Sequence, residues 1–229
     1  MDAVTMRHAD LLITITKEMA EQIRKRSATV SPIKLLANPS VSFEHVVVPL
    51  TKKTGFTFCG NAGRLQRMPI LIQAIKQYCQ AGGTLPFVFA GAGVYANQLQ
   101  ELAETYVNVS YKGQVSASVA AQLSADYEWA LLPIEDQVTQ YAFPSKSSSY
   151  VFSGAKILAI CGEHTSVAEW VTANGLGVVI EPNIDSLCQQ FFAIESGVYD
   201  KFQFNTEREK LKNNLGFDVF VNDLTKLVL

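Results

Sequence analysis

From residue 56 onward the chain alternates short, almost wholly apolar runs with longer segments in which apolar residues return every three or four positions. That is the pattern of strands buried on both faces with helices lying over them. Strands are expected over residues 56–59, 87–90, 107–111, 129–133, 157–161 and 178–181, and helices over 69–78, 98–106, 116–124, 147–153 and 165–173. The helix over 69–78 is the clearest, because Ile70, Leu71, Ala74, Ile75 and Tyr78 share one face and Pro69 suits a first turn. Such alternation gives an α/β fold with a Rossmann-like, doubly wound parallel sheet.

Residues 1–38 differ in kind. A strand over 11–16, a basic helix over 17–26 and a strand over 33–37 lead to Asn38-Pro39, and two strands and a helix are too few for an independent core. They must pack on the main domain or belong to a domain outside this chain. At the other end, residues 205–229 read as two helices broken near Gly216, with Phe217, Phe220, Leu224 and Leu227 along an apolar face. The expected organisation is thus a segment over 1–38, a main domain over 39–185 and C-terminal helices over 186–229.

Composition narrows the function classes. The 229 residues are 48% hydrophobic, and 19 basic against 21 acidic side chains give a net charge of −2. No overall positive field draws in nucleic acid or an anionic membrane, so any anion must be held locally. No apolar run approaches the roughly 20 residues of a membrane-spanning helix, and the start lacks the features of a secretory signal; the reading is a cytoplasmic chain with no transmembrane segment. Cys59, Cys79, Cys161 and Cys188 show neither a CxxC nor a metal-ligand spacing, so reduced, buried thiols are expected and a metal site is not.

Ligands of open α/β sheets bind beyond the carboxyl ends of the strands, and three loops there carry chemistry. GNAGRLQRM, residues 60–68, offers Gly60 and Gly63 for backbone approach to an anion and Arg64 and Arg67 for charged hydrogen bonds, or is a tight turn with two solvated arginines. GAGVYA, residues 91–96, matches a dinucleotide fingerprint. However, the next strand ends in Tyr111-Lys112-Gly113 with no carboxylate for a ribose, so a nicotinamide site is disfavoured and a short turn preferred. YAFPSKSSSYVFSGAK, residues 141–156, gathers Ser145, Lys146 and further serines at the positive end of a short helix, a set that ordinary helix capping explains residue by residue.

Taken in order, these segments resemble the donor domain of GT-B glycosyltransferases of the retaining, sucrose-synthase-like group (glycosyltransferase family 4). FTFCGNAGRLQRMPILIQAI is similar to its opening strand, glycine-arginine loop and helix. FVFAGAGVYANQL, VSYKGQVSASVAAQLSADYEWALLPI, PSKSSSYVFSGAKILAI and GLGVVIEP follow as its later strands and nucleotide-binding helix. HADLLITITKEMAEQIRKR, PIKLLANPSV and LGFDVFVNDLTKLVL are similar to the end of its acceptor domain, its hinge and its terminal helix.

The resemblance implies transfer of a sugar, with retention, from a UDP- or GDP-linked nucleotide sugar to a glycan or lipid-linked acceptor. No metal or other cofactor is implied, and in keeping with that the chain holds no Asp-x-Asp. It places Gly63, Arg64, Arg67, Ser145 and Lys146 at the donor diphosphate, Lys112, Gly113, Val115 and Ser149 at the nucleobase and ribose, and Tyr141 and Glu163 on the sugar side. Tyr141 and Ser149 stand where the family has glutamates, so a catalytically impaired binding subunit or regulatory module is the alternative. An acceptor domain elsewhere, or a homo-oligomer, would complete the cleft, and the intact enzyme would sit in the cytoplasm or at the periphery of the inner membrane.

Overall fold

The computed structural model describes residues 3–40, 43, 45–200 and 208–229. An N-terminal unit comprises α1 (Ala3–His8), β1 (Leu12–Thr14), α2 (Lys17–Ser27) and β2 (Ile33–Leu35), with β1 and β2 paired in parallel as a sheet of their own. The main body runs β3 (Lys53–Cys59), α3 (Met68–Gln80), β4 (Phe87–Ala90), α4 (Ala96–Thr105), β5 (Val109–Tyr111), α5 (Ala117–Asp126), β6 (Tyr127–Pro133), α6 (Asp136–Thr139), α7 (Lys146–Ser153), β7 (Lys156–Ile160), α8 (Ser166–Ala173), β8 (Gly177–Ile180) and α9 (Ile184–Glu195). Two further helices, α10 (Arg208–Leu215) and α11 (Phe217–Val228), end the chain.

The six strands of the main body are all parallel, in the order β5-β4-β3-β6-β7-β8. The chain builds outward from β3 to one edge, then returns to the other side of β3 to lay down β6, β7 and β8. The order reverses between β3 and β6, the point at which sheets of this kind bind ligands beyond the carboxyl ends of their strands.

Successive side chains of a strand point to opposite faces, and this sheet is buried on both. Phe56, Phe58, Trp129, Leu131, Leu158 and Ile160 face a core shared with α3, α4 and α9, while Ala130, Leu132, Ile157 and Ala159 face one shared with α7 and α8. The first core is built around aromatic rings: Phe56 stacks on Phe87 at 4.7 Å, and Phe191 of α9 packs edge-on against both at 5.0 Å. The second face carries small residues instead, which lets α5 and α7 lie close to the strands.

The expected strands and helices all form, with ends shifted by one to three residues. β3 and β6 begin earlier than expected because Lys53, Thr54, Tyr127 and Glu128 extend the ladder beyond the apolar run. β1 and β2 are shorter than the strands expected over 11–16 and 33–37. The break near Gly216 separates α10 from α11, and the start of the tail, at 205–207, lies outside the described residues. Among the described residues no helix is long and apolar enough to cross a membrane.

The loops after β3 and β4 touch backbone to backbone. Gly60 and Ala62 donate to the carbonyls of Ala90 and Ala92 at 2.9 and 2.7 Å, and Tyr95 donates back to Ala62 at 3.1 Å. A Cβ on Gly91, which has φ 130°, would lie 1.9 Å from the Gly60 carbonyl oxygen. The glycines of GAGVYA are thus explained by loop packing, and the Gly91 amide already donates to Gly113 at 2.7 Å. Gly91→Ala should cost at least ~3 kcal/mol, read as a lower urea midpoint. Gly82→Ala, at a similar φ of 91° but with open space around it, should cost about 1 to 2 kcal/mol of backbone strain alone.

Candidate functional site

At the order reversal, the loops after β3 and β6 are tied together by Arg67. Its φ of 45° is unusual for a residue with a side chain. The side chain holds it there: Nε donates to the Ile134 carbonyl at 2.8 Å, and the guanidinium pairs with Asp136 at 2.8 Å and Glu135 at 3.3 Å. The same Asp136 oxygen accepts the Gly162 amide at 2.9 Å, which brings in the loop after β7. Arg67, expected to face a diphosphate, is in this state a brace among three loops. Arg64, in a single 3-10 turn over Arg64–Gln66, is exposed and forms no ion pair among the described residues. The Gly63 amide donates to Gln66 Oε1 at 3.1 Å.

On the other face of β3, α7 starts at Lys146, whose side chain reaches back over the strand end. Its Nζ lies 3.8 Å from the centre of the Phe58 ring, and a Cβ on Gly60 would come within 2.7 Å of it. The ammonium is buried and has no hydrogen-bond partner among the described residues. It lines a cavity of about 200 Å³ together with Ser145, Ser149, Cys59 and the small residues of α5, and among the described residues no carboxylate lines that cavity. Burial pulls the Lys146 ammonium down to about 8, with Cys59 nearby acting in the opposite sense. A buried cation with no counter-charge is costly unless something anionic joins it.

The far end of α7 is held by two more cations. Lys52 donates to the Ala125 carbonyl at the end of α5 and to the Ser153 carbonyl at 2.8 Å. Arg208 donates to the Tyr150 and Ala155 carbonyls at 3.3 and 2.6 Å. Cations at helix C-termini satisfy the open carbonyls and complement the dipole, so α7 is anchored there and keeps its positive end toward the end of β3.

The other expected site residues are spread around this centre. Lys112 is exposed, and the Gly113 carbonyl accepts from Gly91. Val115 is half-buried just ahead of α5. Ser149 Oγ lies 3.4 Å from Ser40 Oγ. Tyr141, 53% exposed, carries the Arg26 guanidinium 5.8 Å above its ring. Glu163 is exposed and pairs with His164 at 3.2 Å. The structure gathers Ser145, Lys146 and Ser149 in one cavity, while Arg67 is braced elsewhere and Glu163 points to solvent. The parts that the sequence reading missed are Phe58 and Cys59 beneath Lys146, Asp136 beneath Arg67, and the cations Lys52 and Arg208 behind α7. Only Gly60, a glycine at a strand end, gave any local sign of them.

No family model matches the sequence. Among curated proteins the chain is similar to WbjE of Pseudomonas aeruginosa, named a probable glycosyltransferase: 22% identical over 209 residues, covering 83% of this chain and 52% of that protein. Among solved structures it superposes on the pneumococcal O-GlcNAc transferase GtfA, solved in complex with UDP and GlcNAc, with a TM-score of 0.67 and 16% identity over 98% of this chain and 46% of that one. It also superposes on sucrose-phosphate synthase from Thermosynechococcus elongatus, with a TM-score of 0.71 and 14% identity over 98% of this chain and 59% of that one. The chain spans about half the length of the relatives it matches. At these identities the likeness establishes the fold, a Rossmann-like sheet of the kind found in GT-B glycosyltransferases.

The uncompensated Lys146 makes a prediction about stability. Its folded value of about 8 lies below the 10.5 of the unfolded chain. Between these pH values the unfolded state binds more protons, and stability contributed by this group rises with pH. Lys146→Met should therefore raise stability at pH 7 by about 1 to 3 kcal/mol and flatten the rise between pH 8 and 10 in thermal melts without ligand. A destabilised variant would mean that the ammonium has a protein partner.

Proposed function

We propose that the chain is the nucleotide-sugar-binding half of a glycosyltransferase. In this reading it transfers a sugar from a UDP- or GDP-linked donor to a glycan or lipid-linked acceptor, with retention at the anomeric carbon. The observation that carries the reading is the Lys146 ammonium, buried without counter-charge among the described residues in a cavity between the end of β3, α5 and α7. The likeness to WbjE and to a transferase solved with UDP supports it.

The work of this half is to hold the pyrophosphate and neutralise charge as it leaves. Lys146 and the first-turn amides of α7 receive its oxygens, and Arg64, exposed and without an ion pair among the described residues, reaches it from the loop after β3. Three sources of positive charge balance the leaving group, and the proposal assigns it no metal. The loop over residues 112–115 borders the base, Ser149 the ribose hydroxyls, and Tyr141 and Glu163 the sugar. Any base or orienting group for the acceptor comes from outside this chain, from a further domain or a partner subunit.

A second reading, a binding subunit that has lost turnover, is favoured by one contact. The Ser149 hydroxyl lies beside Ser40; assigned to the ribose, it would grip a diol less firmly than a carboxylate does. The two readings separate when an acceptor half is supplied: the first expects transfer and the second binding alone.

Titration calorimetry with UDP, GDP, ADP, their sugar conjugates and NAD tests both. One nucleoside diphosphate should bind selectively, and NAD should not bind. Lys146→Met and Arg64→Ala should each weaken it by about 1.5 to 3 kcal/mol. The ligand selects the protonated lysine, so affinity should fall as pH rises through 8, approaching tenfold per unit above it, and the Lys146→Met variant should lose this dependence. Equal affinity of the variant and the parent chain would remove Lys146 from the site and the reading with it.

A further inference from the structure

A thiol shares the cavity of the Lys146 ammonium. Cys59 ends β3, keeps 9% of its surface exposed where Phe58 before it keeps 1%, and lines the same space of about 200 Å³. We propose that Cys59 is a site of reversible oxidation, a thiol that a hydroperoxide converts to a sulfenate paired with the Lys146 ammonium. The effect of this pairing on nucleotide binding rests on the glycosyltransferase reading; the oxidation itself does not.

The surroundings of the sulfur favour an anion there. Thr57 Oγ1 lies 3.5 Å from Cys59 Sγ, and a hydroxyl can donate to a charged sulfur. Ser124 lines the cavity too, with its hydroxyl donating to the Ala120 carbonyl at 3.0 Å, and the Tyr150 hydroxyl is committed to the Leu131 carbonyl at 3.1 Å. Among the described residues Lys146 brings the cavity its one charge, and that ammonium is buried without a hydrogen-bond partner. Burial pushes the Cys59 thiol up, while Thr57, Ser124 and Lys146 act against it. The other three cysteines sit differently. Cys161 is fully buried near Asp136, and Cys188 lies near Asp185, so a carboxylate opposes a negative sulfur at both. Cys79 donates to Asn108 Oδ1 at 3.4 Å, which holds the neutral thiol.

In the reaction the sulfur attacks one oxygen of the hydroperoxide; an S–O bond forms and the O–O bond breaks. The leaving hydroxide takes the proton of the thiol and departs as water, and the two electrons that the sulfur loses reduce the peroxide. The product is a sulfenic acid, which thiols reduce again. It is more acidic than the thiol because oxygen carries the charge. Its anion supplies the counter-charge that Lys146 lacks and turns a costly lone ion into a pair. The same oxygen stands where a ligand anion would. Oxidation therefore stabilises the empty chain and closes it to nucleotide. Among the described residues no second cysteine lines the cavity, so the sulfenate meets no thiol there with which to form a disulfide.

Hydrogen peroxide titration of the chain as it stands, with dimedone trapping and peptide mass mapping, tests the assignment, and Cys79 serves as the internal reference. Cys59 should trap dimedone ahead of Cys79. The melting temperature of the oxidised chain, without dimedone, should rise by about 2 to 4 °C and return after dithiothreitol, and Cys59→Ala should show no such rise. UDP or GDP, whichever binds the reduced chain, should bind the oxidised one at least about tenfold more weakly. In Lys146→Met, Cys59 should oxidise about three- to tenfold more slowly. No dimedone on Cys59, a melting temperature that falls on oxidation, nucleotide affinity unchanged by oxidation, or equal rates in Lys146→Met and the parent chain would overturn the proposal. Oxidation of Cys59 with the full rise in melting temperature, in a chain whose reduced form binds neither nucleotide, would uphold this site and overturn the transferase reading instead.

Discussion

A parallel sheet covered on both faces has nowhere to put chemistry except at the ends of its strands. Phe56, Phe58, Leu131, Ala130, Leu158 and Ala159 are all buried, and a polar group among them would lose water and find no partner. Every strand of this sheet runs the same way, so all six carboxyl ends share one edge, and the strand order reverses between β3 and β6. The rest of the molecule follows from that constraint. The loops after β3, β4 and β5 are laced by backbone hydrogen bonds too close for side chains, and those after β3, β6 and β7 by Arg67 and Asp136. A firm floor results beside the buried charge of Lys146.

That charge is Lys146, and its setting is the reverse of the one at the other end of its helix. Lys52 and Arg208 sit on carbonyls that welcome cations, whereas Lys146 sits over the Phe58 ring and receives only the weak attraction of its face. Burial depresses all three, Lys52 and Lys146 to about 8 and Arg208 to about 10. In the proposed reading an anionic ligand in the cavity beside Lys146 would reverse the penalty there. Stability and binding therefore oppose each other at this position, as they do at many functional sites.

The sheet could be read from the sequence because a strand buried on both faces is apolar at every position, and the helices because their apolar stripes are periodic. α1, α6 and α9 did not stand out as separate elements. α1 and α6 are short, and the Phe191 contact that gives α9 its place depends on partners in strands far back in the chain. The same limit governed the site. Ser145, Lys146 and Ser149 fall within one short stretch and could be grouped by eye, but the pairing of Lys146 with Phe58 and Gly60 joins distant segments. Arg67 was legible as a cation near phosphate; that Glu135 and Asp136 would occupy it depends on the order reversal, which no local pattern encodes.

The segment from Ile134 to Lys146 joins the cavity of Lys146 to the N-terminal unit. Its beginning is fixed, since Ile134 and Glu135 are held by Arg67 and by the bond from the Glu135 amide to Leu65. Its end is fixed by α7, anchored from behind. Between them, Gln140 and Tyr141 meet the N-terminal unit through a single amide pair and one cation over a ring, contacts worth little individually. A small rotation of the N-terminal unit would therefore alter the surroundings of Tyr141 without displacing Lys146. In the proposed reading the surroundings of Tyr141 can then adapt while the end of α7 that would hold the diphosphate stays in place, and a phosphate site needs that rigidity because its hydrogen bonds fail within a few tenths of an ångström.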